Sequence, residues 1–138
     1  MSAPRDVLNA TEALIGALYC DAGFEKARAF VLKPVEEEIG VPYPWDKYDQ
    51  VTIQDFVAGG MENTSLTTLT DHTLHAKATG TLRSSRSLDA HEMAHQWFGD
   101  LVTMGWWDNL WLNEGFATWM ESKATERFHP RWQTWLNN

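Results

Sequence analysis

Cysteine is almost missing from this chain: Cys20 stands alone among 138 residues. An internal disulfide is excluded, and so is a cysteine zinc site, because no second thiol is available. A small buried hydrophobe is the plainest role left for it. Cationic residues are also scarce, with 11 Lys and Arg against 19 Asp and Glu and a formal charge of −8. No basic stripe runs along the chain, which argues against nucleic-acid binding. No apolar run approaches the ~18 residues of a membrane span, so no membrane partner is expected. The opening stretch "MSAPRDVLNATEAL" holds charges and no long apolar core, so no signal peptide is expected. A soluble chain follows but the compartment does not; a cytoplasmic location is the expectation. Repeats and low-complexity tracts are absent.

What remains has a globular composition, 43% hydrophobic with eight tryptophans. The length suits one domain spanning 1–138, able to bury roughly two-thirds of its unfolded surface.

Helical spacing of Leu8, Leu14, Ile15 and Leu18 predicts a helix over 6–20, and "FEKARAFVLKPVEEEI" a second over 24–39. Pro34 should interrupt the second, and Gly40 should stop it. A Pro-rich loop follows. "QVTIQDFV" alternates, with Val51, Ile53 and Phe56 toward one side, and reads as a strand. Paired glycines break it before another strand at 65–70. Residues 71–83 read as a loop with a short helical turn. From Ser87, capped by Ser85 or Ser87, a helix carries "HEMAHQWF". After a Trp-rich connector a further helix runs from about Asp108 into the 120s, and Pro130 opens a last short one. The class is α+β, a small sheet followed by two consecutive helices.

Chemistry concentrates in "HEMAHQWFGD", residues 91–100. Positions i and i+4 of a helix stand one above the other, ~5–6 Å apart at Cβ. His91 and His95 can therefore reach one ion from one face. Glu92 is rotated about 100° from His91 and points beside that ion, where a general base belongs. Catalytic zinc takes three protein ligands, so a third must come from elsewhere. Eighteen residues separate His95 from Glu114 in "WLNEGFATW". Glu114, Thr118, Glu121 and Thr125 share one face of that helix, which leaves Leu112, Phe116 and Trp119 for packing. Gly115, costly inside a helix by up to about 1 kcal/mol, is expected where this helix approaches the histidine helix closely. Trp106, Trp107 and Trp111 are expected to wedge the connector against both helices.

His-Glu-x-x-His followed at that distance by a glutamate resembles the gluzincin metallopeptidases. "GGMEN" at 59–63, with "YPWDKYDQV", "HQWFGDLVT" and "WLNEGFATW", resembles more narrowly the M1 family, the aminopeptidase N and leukotriene-hydrolase group. The resemblance covers about residues 24–135, and residues 1–23 match nothing. It implies a thermolysin-like catalytic domain, one Zn²⁺ held by His91, His95 and Glu114, and Glu92 as general base. It also implies that Glu62 grips the free α-amine of a peptide substrate, while Gly59, Gly60 and Met61 run beside it like an added strand. Glu121, Asp100 and Asn113 are candidates to orient the zinc ligands. The implied function is zinc-dependent aminopeptidase activity, and the alternative is a zinc-binding core with little turnover. Two departures favour the alternative. The family's oxyanion tyrosine has no counterpart, since Tyr19, Tyr43 and Tyr48 all lie upstream of Glu114. The flanking domains are also unmatched, which suggests a piece of a larger enzyme with apolar surface available for self-association.

Overall fold

The computed structural model describes residues 32–33, 35–73, 86–128 and 130–137. The expected helix over 6–20, Cys20, Pro34 and Ser85 lie outside the described residues. The chain divides into two compact units, Met1–Tyr43 and Pro44–Asn138.

In the first unit residues 35–39 are helical. Gly40 ends the helix as expected, with φ +77 and its N–H donating to the Glu36 carbonyl at 2.8 Å. Left-handed φ costs glycine nothing, which is why it stops a helix well. Leu32, Val35 and Tyr43 are buried.

The second unit opens with three strands, β1 (Asp49–Ile53), β2 (Gly60–Met61) and β3 (Leu66–Thr70). Their order is β1-β3-β2, with β1 parallel and β2 antiparallel to β3. In central β3, residues of both faces are buried, Thr67 through Thr70 in succession. The first strand stops earlier than expected. Asp55 takes φ 56, so Phe56 lies beyond β1, and Val51 and Ile53 remain exposed on this edge strand.

Helix α1, described over Arg86–Ala94, includes Ser87, which therefore lies inside it. Its hydrogen bonding tightens at the end: Gln96 and Trp97 donate to Met93 and Ala94, three residues back. Gly99, at φ +135, then turns the chain, and the Asp100 N–H closes on the His95 carbonyl at 3.1 Å. A 3-10 turn at Trp107–Asn109 leads into α2 (Trp111–Phe128). The last segment is broken: a 3-10 turn at Pro130–Trp132, Gln133 at φ 50, then α3 (Thr134–Asn137). No described helix is long and apolar enough to cross a membrane.

The buried seam between α1 and α2 corrects three expectations. The two helices pack together, and the residues buried on and just after α1 are Met93, Ala94 and Trp97, while those on α2 include Asn113, Ala117, Met120 and Ala124, spaced 4, 3 and 4 apart. Phe116 and Trp119 are exposed instead. The buried face of α2 mixes one large side chain, Met120, with the smaller Asn113, Ala117 and Ala124. Gly115 does not serve close packing, for a β-carbon there would meet nothing within 4 Å. Trp106, Trp107 and Trp111 are not wedged against the helices: they are 66%, 70% and 63% exposed. Trp111 stacks on Phe116, which stacks on Phe98.

Candidate metal centre

The i, i+4 spacing on α1 brings the two imidazoles together, with ring centroids 4.7 Å apart. His91 Nε2 and His95 Nε2 lie 3.1 Å from one another. The first turn of α2 carries Glu114, whose Oε2 is 3.3 Å from His91 Nε2 and 3.4 Å from His95 Nε2. Three donors thus form a nearly equilateral triangle. A tetrahedral ion with bonds of 2.0–2.1 Å holds its donors roughly 3.3 Å apart, so the set fits zinc.

The far sides of both rings are engaged. His95 Nδ1 lies 2.9 Å from the Phe98 carbonyl, which can only accept, so Nδ1 carries the hydrogen and Nε2 presents its lone pair to the triangle. His91 Nδ1 is 3.3 Å from Glu121 Oε2, one α2 turn-pair beyond Glu114, with the same consequence. The expectation for Glu121 corresponds to a direct contact.

Glu92 is buried on the side of α1 that faces β2, and its Oε2 has no hydrogen-bond partner among the described residues. Gly60 packs against it so closely that a β-carbon there would meet Glu92 Oε1 at 2.2 Å. Glu62 follows β2, with Oε1 3.9 Å from His95 Nδ1. Glu62, Glu92 and His95 make a second group of convergent donors beside the first.

A model of the peptidase family M1 domain matches residues 24–138. The chain belongs to this family. Aminopeptidase M1 of Arabidopsis thaliana is 43% identical over 130 residues, 86% of this chain and 15% of that protein. Aminopeptidase 2 of Candida albicans is 46% identical over 111 residues, 78% and 12%. The alanine/arginine aminopeptidase of Saccharomyces cerevisiae is 41% identical over 129 residues, 86% and 15%. The chain therefore spans only about one-seventh of the length of these M1 relatives.

The electrostatics of this M1 segment are dominated by burial and crowded acids. Burial, with the charges of Glu62 and Glu114 adding to it and His91 opposing, pushes the Glu92 carboxyl up to about 7. The hydrogen bond to Glu121 raises the His91 pKa against the effect of burial. Asp100 is pushed up to about 6, again by burial first, and it accepts a hydrogen bond from the Thr64 side chain rather than from either imidazole. Asn113 is buried beside Gly99; a β-carbon on Gly99 would lie 3.3 Å from Asn113 Nδ2 and 3.4 Å from His95 Nδ1.

Two contributors escaped the sequence reading. The Phe98 carbonyl has no side-chain signature at all. Gln96 had one, a polar residue inside the apolar run "MAHQWF", and it is fully buried at 0% exposure.

Proposed function

We propose that residues 1–138 form the thermolysin-like catalytic core of a zinc-dependent aminopeptidase, acting on peptides with a free N-terminus. The observation that carries this reading is the triangle of His91 Nε2, His95 Nε2 and Glu114 Oε2, all 3.1–3.4 Å apart, beside a buried Glu92 oxygen with no hydrogen-bond partner among the described residues. These three residues would hold one Zn²⁺. When bound, the ion supplies a Lewis acid that acidifies a water molecule and polarises the scissile carbonyl.

Glu92 does the proton work. Its buried carboxylate is placed to take a proton from the attacking water and return it to the departing amine. Gly60 keeps that carboxylate in place by leaving room for it. Glu62 pairs with the substrate ammonium, a charge that an internal peptide bond lacks, and so selects the chain end. Gly59, Gly60 and Met61 form the outer edge of the described sheet, where an extended peptide can add as a strand. Glu121 and the Phe98 carbonyl hold the imidazoles in the tautomer that the metal needs.

The test is zinc stoichiometry with aminoacyl-anilide turnover, for the wild type and Glu92→Gln. One zinc per chain in both is expected, with turnover lost by roughly 10²–10⁴-fold in the variant. Full turnover in Glu92→Gln removes Glu92 from this role. A second reading, zinc binding with little turnover and self-association, is favoured by the exposed aromatics Trp106, Trp107, Trp111 and Phe116. Zinc-dependent thermal stabilisation without anilide cleavage marks that case.

A further inference from the structure

Gln96 follows His95 directly, yet its side chain turns away from the metal triangle and into the β2–β3 turn. Its Oε1 accepts the Ser65 N–H at 2.7 Å, and its Nε2 donates to the Glu62 carbonyl at 3.3 Å. Both partners lie more than thirty residues upstream. The turn they belong to is a demanding one. Ser65 sits at φ 62, a left-handed conformation that a side chain disfavours and that persists only when its surroundings hold it. Several hydrogen bonds do so. The Ser65 carbonyl accepts from Asp49 N–H at 3.0 Å, Leu66 N–H reaches the Asn63 carbonyl at 2.9 Å, and Asn63 Nδ2 reaches Thr68 Oγ1 at 2.9 Å. All of those stay within the sheet. The two Gln96 bonds tie the backbone of this turn to the helix that bears His91 and His95.

We infer that Gln96 is a positioning residue: its buried carboxamide fixes the Glu62–Ser65 turn, and with it the Glu62 carboxylate, at a set distance from the histidine pair. The inference rests on the reading of Glu62 as the amine-binding group and adds what holds that group in register. A residue of this kind acts on recognition of the ammonium and leaves the metal donors alone. An amide suits the task because one acceptor and one donor are needed side by side, and a carboxylate cannot supply the second.

The probe is leucinol, an amino alcohol that cannot be hydrolysed, compared with its N-acetyl derivative, by calorimetry on the zinc-loaded chain. The wild type should bind the free amine at least about tenfold tighter. Gln96→Leu should bind one zinc as before and lose most of that preference. Gln96→Glu, closer in size, keeps an acceptor for Ser65 but not the donor for Glu62, and should lose part of it. Adding Ser65→Gly to Gln96→Leu should restore part, because glycine holds a left-handed φ unaided; a purely structural role for Gln96 offers no such rescue. Should Gln96→Leu fail to fold, Gln96→Glu carries the same comparison. An unchanged preference in either folded variant overturns the inference while leaving the amine site standing. A wild type that binds both probes equally overturns the amine site, and the role of Gln96 with it.

Discussion

Gly60 and Glu92 occupy adjoining space so tightly that one added carbon on the glycine would lie 2.2 Å from the carboxylate. A sheet edge and a helix thus share one pocket wall. The glycine is needed there for room and not for its dihedral freedom. Gly60→Ala should push the Glu92 side chain aside, since the end of a flexible chain yields before the backbone does. Anilide turnover should fall at least about tenfold, as small misplacements of a catalytic group do, with zinc stoichiometry unchanged. Wild-type turnover in this variant would contradict the packing.

Glu121 meets the far nitrogen of His91 at 3.3 Å. Replacing such an outer partner of a metal-bound histidine weakens metal affinity by about 10–100-fold. Competition with a chelator should reveal that loss in Glu121→Ala, whereas Thr118→Ala, exposed on the same helix, should bind zinc as the wild type does. Equal affinity for both variants would detach Glu121 from the site.

The metal-free chain should lose stability as pH rises from about 4 to about 7. Glu92 is held up to about 7 from 4.5, and Asp100 up to about 6 from 3.8, both mainly by burial. Between those limits the unfolded chain releases protons that the folded chain keeps, so the slope of unfolding free energy with pH is negative. His91, raised by Glu121, extends the loss in the same direction above about 6.5. Melting temperatures in chelator should track this. Glu92→Gln, which stays neutral, should gain on the wild type between pH 5 and 7, and zinc should erase the difference by favouring the ionised carboxylate. A constant gap between the two proteins across that range counts against the buried acid.

On α2, Met120 is 2% exposed and Trp119 beside it is 44% exposed. Met120→Ala should cost about 2–5 kcal/mol in denaturant unfolding. Trp119 lies under the Lys123 ammonium, 4.9 Å from its ring centroid, so Trp119→Ala should cost only about 1 kcal/mol or less beyond its partial burial. The reverse ranking would put the aromatic side of α2 in the core.

The face of α2 shows where sequence reading stopped. Leu112, Phe116 and Trp119 look like core by size, and Asn113, Ala117 and Ala124 do not. Helix spacing reports which residues share a face, yet it does not say which face has a neighbour. Which face is covered depends on where the neighbouring helix lies, and that is set by tertiary packing. The site was easier to read. His91 and His95 are four apart on a helix of any protein, so their proximity follows from local geometry alone. Glu114 required counting across a loop, and the family resemblance supplied that count.

By itself the sequence determined the helix that pairs two imidazoles, the stop at Gly40, the β3 strand and the membership of a metallopeptidase family, because each depends on residues close together in the chain or on a long specific motif. Only the tertiary structure decided that Glu121 would find His91, that Gly60 would wall in Glu92, and that Gln96 would hold Ser65 from thirty-one positions away. Those contacts join segments whose separation along the chain carries no record of their meeting. They form when burial and hydrogen-bond satisfaction are met together in the folded chain.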